Sequence, residues 1–363
     1  MAVEGTLHVA LAVEDGAVAR VDVRSTRPDV ARTLLAGRTR AEVAAAVPRL
    51  FAVCARSQAA AGALACAAAA GELDDAALAH ARDTVAAEML REAAWRTLLD
   101  WPRALGEAPA GDAVAAARAA LAPPDGAARA AIAHAVFGTD AQRFAALDGL
   151  HAFDRWCAAG ATAAARFVRD LPRHEPMPDG AGDALPWIAG PDAPPRAAAL
   201  AAALDADPAF VQRPHWHGAP AETGALSRWR DDPLVRAVLE HDGHRLRARF
   251  VARLRELARL LAGDVAPAVG VLALGAGDAL AWVDNARGLL LHRVRLERAG
   301  DVARVARYAI VAPTEWNFHP EGALARALEG SPAADPDLLQ RRATRLVQSL
   351  DPCVTCEVTV VDA

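Results

Sequence analysis

The 363-residue sequence predicts an α+β protein in which helices predominate, and three observations lead there. Residues 5 to 24, GTLHVALAVEDGAVARVDVR, alternate apolar and polar positions on both sides of Glu14-Asp15-Gly16, the mark of a β-hairpin. From residue 39 to about 100, and again from 111 to 170, the apolar period is helical. Residues 288 to 297 and 301 to 312 return to alternation around Arg298-Ala299-Gly300, which predicts a second hairpin.

The elements follow in order. After the first hairpin come AEVAAAVPRLF, a long alanine stretch and DDAALAHARDTVAAEMLREAAWRTLLDW, all helical in pattern. The helical run of 111 to 170 breaks at Pro123-Pro124-Asp125-Gly126. Between about 171 and 222 prolines and glycines take over, with one short helical insert at 195 to 205, so this stretch is read as a long irregular excursion. Helix resumes near Thr223 and runs through LVRAVLEHDGHRLRARFVARLRELARLLAG, where the arginines of 245 to 259 are read as a solvated face opposite leucines. A last helical segment, PDLLQRRATRLVQSL, leads into Asp351-Pro352-Cys353.

Composition narrows the function classes. With 53% hydrophobic and 23% charged residues the chain can bury a core and is not disordered. Its net charge of -5 gives no overall attraction for nucleic acid or an anionic membrane, so both drop out as partners. No apolar run reaches the length of a membrane span. The start MAVEGTLHVALAVEDG carries acids where a secretory leader has cations, so a cytoplasmic protein with reduced thiols is expected. Alanine supplies about a quarter of the residues and lysine is absent, which reads as coding bias. His215-Trp216-His217 is read as a surface loop, since no carboxylate or cysteine stands at useful spacing.

Chemistry concentrates in the cysteines. Cys353 and Cys356 form a Cys-x-x-Cys after the helix-ending Asp-Pro, and two thiols at that spacing can close on one metal or form a redox disulfide. A thioredoxin-like site needs the motif to open a helix, and a structural zinc site needs four ligands without a second such pair here. The missing partner is therefore distant, and Cys54, at the start of a predicted helix, is the candidate. Cys66 and Cys157 lie in alanine-rich or aromatic helical stretches and are read as core residues.

Arg49-Leu50-Phe51-Ala52-Val53-Cys54-Ala55-Arg56-Ser57-Gln58 resembles the RxCGxCxxxH motif of nickel-iron hydrogenase large subunits, and DPCVTC resembles their C-terminal DPCxxCxxH. Further similar stretches lie in order between them: Val3-Glu4-Gly5-Thr6-Leu7 to R[IV]EGHLR, Glu222-Thr223-Gly224-Ala225-Leu226-Ser227-Arg228 to ExGPLAR, Asp284-Asn285-Ala286-Arg287-Gly288 to EAPRG, and Ala312-Pro313-Thr314-Glu315-Trp316-Asn317 with Pro320 to VPTTWNxSP. The resemblance spans nearly the whole chain. It implies one large unit over residues 1–363, with a helical core and small hairpin sheets at the periphery, in which the first sixty residues and the last eleven meet.

The resemblance also assigns ligands, and the departures shape the function. Carried over by position, Cys54 and Cys356 match the two cysteines that bridge nickel and iron, and Cys353 matches one terminal nickel ligand. The other terminal position is Phe51, which has no lone pair, so a four-thiolate nickel site does not form. Gln58 and Thr359 stand where the family has histidines, and no maturation peptide follows Thr359. Arg287 and Thr314 match the donors that hold the cyanide ligands of the iron, although Arg287 could pair with Asp284 and Thr314 could cap the turn before Trp316. Glu4 matches a proton-relay glutamate whose basic and histidine neighbours are here Ala2 and Thr6.

The resemblance thus implies a non-catalytic relative of the large subunit, similar to hydrogenase accessory proteins of the HupK/HoxV type. Such a protein would hold iron as Fe(CN)2(CO) transiently, without nickel, between maturation proteins of the HypC/HypD type and the hydrogenase large subunit. Two other readings stand beside it. One is a catalytic nickel-iron subunit with a degenerate site; the other is a metal-free chaperone that imitates the large subunit's shape.

Overall fold

The computed structural model describes residues 5–28, 30–51, 53–120, 125–173, 183–184 and 188–362. Glu4, with Ala2 and Val3, lies outside the described residues, as do Ala52, Pro123-Pro124 and much of the Pro/Gly-rich stretch. Helices predominate, and nine strands are present among the described residues: β1 (Thr6–Glu14), β2 (Ala17–Ser25), β3 (Asp183–Ala184), β4 (Ala221–Glu222), β5 (Val269–Gly275), β6 (Asp278–Asn285), β7 (Gly288–Ala299), β8 (Val302–Val311) and β9 (Thr355–Asp362). No described helix is long and apolar enough to cross a membrane.

The chain divides into two compact units. The first is assembled from Met1–Val85, Met177–Gly224 and Pro267–Ala363. Its first sheet has the order β2-β1-β9. The β1–β2 turn puts Asp15 and Gly16 at positive φ, 51° and 76°, the conformation a two-residue hairpin loop needs. β9 runs parallel to β1 with Leu7 opposite Cys356, so both motif-bearing ends of the chain enter one sheet. This strand was not anticipated, because parallel pairing of distant segments leaves no local turn signal.

The second sheet is a four-stranded antiparallel meander, β5-β6-β7-β8. Its β7–β8 half is the predicted hairpin. The β5–β6 half was missed, since all eight residues of β6 are buried and its middle, Ala279 to Val283, is an unbroken apolar run instead of an alternation. The helix Ala55–Ala69 packs across β5, β6 and β7, burying Ala61, Gly62, Leu64, Ala65 and Ala69. Small side chains let it lie close: a Cβ at Gly62 would come within 3.0 Å of the Tyr308 hydroxyl. The alanine-rich stretch therefore does structural work here. The sequence-predicted insert at 195 to 205 is the helix Ala193–Ala206, whose Ala197, Leu200 and Leu204 enter a core cluster with Trp282, Leu280 and Trp316.

The second unit, Ala86–Pro176 with Ala225–Ala266, is helical. The helical run expected from Thr223 is three helices, Ala225–Trp229, Pro233–Asp242 and Leu246–Ala262. The arginines of the last are not a solvated face: Arg247, Arg249, Arg253 and Arg255 are all buried. Arg247 forms a two-pronged bond to Asp242, 2.7 Å on each arm, and Arg255 reaches Asp232 at 2.7 Å. Glu256 takes Arg228 at 2.8 Å. Their acidic partners lie on other helices or turns, out of sight of a helical-wheel reading of one segment, and paired guanidiniums tolerate burial where lone ones do not.

Candidate functional site

Four of the sequence motifs converge within the first unit, and its backbone explains how. Asp335 caps the helix Pro336–Leu350, which ends at Asp351 in a left-handed conformation with φ 52°. Pro352 prevents continuation of the helix and turns the chain so that Cys353 is buried before β9 begins. Cys54 sits at the N-cap of the helix Ala55–Ala69 and is also buried. Arg287 lies in the β6–β7 turn, and Thr314 in the short helix Pro313–Asn317 that follows β8.

Asn317 ties these pieces together. Its carbonyl accepts the Thr223 backbone N–H at 2.9 Å, while its amide donates to the carbonyl oxygens of Arg287, at 3.3 Å, and Leu350. Thr223 in turn accepts the Leu289 N–H at 2.9 Å. One buried Asn thus joins four of the sequence motifs, and Asn285 adds an Asx turn by accepting the Arg287 N–H at 2.9 Å. The sidedness of an amide explains its use: it donates and accepts from one planar group.

The structure brings Cys54 and Cys353 together. The Cys54 thiol hydrogen-bonds the Cys353 sulfur, which also meets the Thr314 hydroxyl at 3.0 Å and takes a bond from Arg27 Nη2 at 3.1 Å. The Cys54 bond, helped by Arg27, Arg287 and Thr314 and opposed by burial, holds the Cys353 thiol well below its ordinary range. Arg287 faces Asp351 with its Nε 3.9 Å from the carboxylate. Thr314 therefore contacts the cysteine itself, beyond the turn-capping alternative.

Cys356 is the third sequence-predicted ligand, and it sits apart on β9, half-buried, with burial and Glu357 pushing its thiol up to about 11. Among the described residues no cluster of three or more His, Cys, Asp or Glu side chains is gathered to hold a metal. Cys66 and Cys157 are buried, and burial raises their thiols to about 11 and about 12.

Behind Cys54 runs a directed chain of hydrogen bonds. Gln58 Nε2 donates to Cys54 Sγ at 3.7 Å, and its Oε1 accepts from His292 Nε2 at 2.7 Å. An amide oxygen only accepts, so the His292 proton is on Nε2, and Nδ1 accepts from the Tyr308 hydroxyl at 2.8 Å. Burial lowers His292 to about 3, keeping it neutral. Gln58, standing where the resembling family has histidine, fixes Cys54 from behind.

Three groups at the site escaped the sequence reading. Arg27 follows β2 and pairs with Glu315 at 3.5 Å, and its guanidinium carbon lies 5.5 Å from the centre of the Phe51 ring. Burial pushes Glu315 up, Arg27 opposes this and Cys353 adds to it, leaving the carboxyl at about 7. A cavity of about 330 Å3 is lined by Arg27, Phe51 and Glu315, with Arg24 and Arg213 farther along its wall. Glu315 was detectable as the replacement of the second threonine in the VPTTWN-like segment; Arg27 and His292 lie outside every motif and left no signal.

The comparisons agree with this architecture. A sequence model of the family described as nickel-dependent hydrogenase matches residues 273–359. The chain is 32% identical to the hydrogenase expression/formation protein HupK of Rhizobium leguminosarum bv. viciae, over 99% of this chain and 97% of that one. It is 37% identical to the hydrogenase expression/formation protein HoxV of Cupriavidus necator over 45% of this chain and 44% of that one. Its fold is similar to that of the nickel-iron-selenium hydrogenase from D. vulgaris Hildenborough, with a TM-score of 0.57, 16% identity and 94% of each chain covered. The nickel implied by that family model does not fit the residues present, because one of its terminal ligand positions is the buried ring of Phe51. At 32% identity to HupK over nearly the whole of both chains, and with a large-subunit fold, the chain belongs to the HupK family of hydrogenase expression/formation proteins.

Proposed function

We propose that this protein is a non-catalytic scaffold in hydrogenase maturation that carries the iron part of the active site, Fe(CN)2(CO), as cargo and passes it to the hydrogenase large subunit. The observation that supports this reading is the buried pair Cys54 and Cys353, brought from opposite ends of the chain into hydrogen-bond contact beside Arg27, Arg287 and Thr314. Iron(II) with two cyanides is neutral, and two thiolates make the complex a dianion. Two buried guanidiniums offset that charge, and the donors suit the nitrogen ends of cyanide. Cys356, three residues beyond Cys353, is the third thiol proposed to meet the cargo; it lies apart on β9, so the strand's start would have to turn it toward the pair when the cargo binds.

The cargo would arrive from maturation partners of the HypC/HypD type and leave for the large subunit. Two or three thiolates hold iron less completely than a finished bimetallic site, and such a shell permits release. The protein is read as acting without catalysis of its own.

The test is anaerobic purification from cells expressing the maturation machinery, followed by infrared spectroscopy and metal analysis. Cyanide and carbonyl bands with iron and without nickel are expected. Stoichiometric nickel with hydrogen uptake would establish a catalytic subunit instead, and a metal-free protein without bands would establish a recruiting chaperone. Cys54→Ala is expected to abolish the bands; bands unchanged in that variant would remove Cys54 from the ligand set.

A further inference from the structure

The resembling enzymes would place a divalent cation between the residues that here are Phe51 and Cys353. In this protein a cation of another kind is already present. The Arg27 guanidinium donates through Nη2 to Cys353 Sγ at 3.1 Å, reaches the Glu315 carboxylate through Nη1 at 3.5 Å, and lies 5.5 Å from the Phe51 ring centre. Arg27 and Glu315 side chains are each 13% exposed, so the pair is nearly dry. We propose that Arg27 is a specificity-determining residue that takes the place of nickel: its guanidinium, anchored by Glu315 and the face of Phe51, supplies Cys353 with a fixed positive charge and excludes a bare divalent cation such as nickel(II), a repulsion that the neutral Fe(CN)2(CO) cargo does not meet.

The physical reasoning has three parts. A guanidinium cannot lose its proton in a protein, so its charge persists at every working pH. Burial disfavours the Arg27 cation, yet Cys353 and Glu315 more than compensate, and its affinity for its proton is raised. A second cation brought to Cys353 would meet like charge in a low-dielectric site, which costs several kcal/mol. Phe51 and Glu315 are then two halves of one device. The ring presents its negative face to the cation, and the carboxylate replaces a threonine of the family-like segment just where the other end of the guanidinium points. Restoring a thiol at position 51 is therefore not sufficient to make a nickel site.

This inference deepens the scaffold reading and rests on it for its purpose, although its test does not use the iron cargo. The full chain is produced in cells lacking the maturation machinery, and nickel(II) is titrated into Phe51→Cys, into Phe51→Cys with Arg27→Met, and into Phe51→Cys with Arg27→Lys. Metal analysis and thiolate-to-nickel charge-transfer absorption are read, with melting curves to show folding. The Met double variant is expected to bind nickel at least about a hundredfold more tightly than Phe51→Cys alone, the factor that several kcal/mol of relieved repulsion implies. The Lys double variant keeps the charge and is expected to stay with Phe51→Cys.

Tight nickel binding by Phe51→Cys with Arg27 intact overturns the proposal; that variant loses the Phe51 ring but keeps the Arg27 contacts to Cys353 and Glu315, and its melting curve shows that it is folded. Equal nickel affinity in the Met and Lys double variants, or none in a folded Met variant, overturns it as well. Missing cyanide and carbonyl bands in the wild type would instead count against the scaffold reading alone.

Discussion

At the scale of single residues, Glu315 makes the pH behaviour of this protein distinctive. Its carboxyl sits at about 7 in the folded chain against an ordinary 4.5. Between those values the folded chain holds a proton that the unfolded chain has released, so stability falls as pH rises through this window. The full effect is about 3 kcal/mol, fully expressed above pH 7. Glu315→Gln is expected to remove that slope: denaturant unfolding at pH 5 and pH 8 should show the wild type losing about 2.5 kcal/mol relative to the variant. Equal slopes would mean that Arg27 holds the carboxylate charged throughout. His292 titrates with the opposite sign and cancels in the comparison, since both proteins carry it. Tyr308→Phe tests the chain behind Cys54, because it leaves the buried His292 Nδ1 without its donor. A loss of about 1–3 kcal/mol is expected, read as a lower denaturant midpoint at unchanged slope. Cys54, Cys353, Thr314 and Arg287, which the structure brings together, could be singled out in the sequence because each sits inside a recognisable motif; Cys356, singled out in the same way, lies apart on β9. Arg27 and His292 could not be singled out, since a lone Arg after a strand or a lone His within one gains its meaning only from what folds against it.

At the scale of elements, local chemistry explains what could be read. The β1–β2 and β7–β8 hairpins carry their turn residues with them, and the helix Ala193–Ala206 announces itself by composition. β9 and the β5–β6 hairpin were hidden, the first because its pairing is parallel and distant, the second because a strand buried on both faces loses its alternation. The contact between the β6–β7 turn and the segment before the helix Ala225–Trp229 shows how tightly the site's elements are fitted. Gly288 has φ 128°, and a Cβ there would lie 2.5 Å from the Thr223 side chain and 2.8 Å from the Gly224 backbone nitrogen. A Cβ on Gly224, which stands at φ 117°, would likewise lie 3.1 Å from the Arg287 carbonyl oxygen. Gly288→Ala must therefore strain the turn and push Arg287 away. It is expected to cost about 2–4 kcal/mol and to weaken cargo retention, measured by thermal unfolding and by the intensity of the infrared bands. A fully stable variant would show that the turn can yield without harm.

At the scale of the whole molecule, the site exists only because the two ends of the chain share one sheet. β9 lies parallel to β1, with His8 opposite Glu357 and the two side chains 3.2 Å apart on the solvent side. A slip of one residue would exchange the faces of β9, turning Cys356 outward and drawing Cys353 along the strand away from Cys54. Register is thus the property that the thiol pair depends on most. Replacing His8 and Glu357 with cysteines tests it directly, because directly opposed residues on neighbouring strands fall within disulfide reach. Mild oxidation is expected to join positions 8 and 357, identified by peptide mass mapping. The bond would close almost the entire chain into a loop and stabilise the fold by about 3–5 kcal/mol. Cys356 serves as the internal control: a link from position 8 to Cys356 would reveal the slipped register. With the ends locked in the observed register, the thiol pair keeps its geometry and cargo binding should survive. Loss of the cyanide and carbonyl bands in the cross-linked protein would show that the ends must part for the cargo to be received.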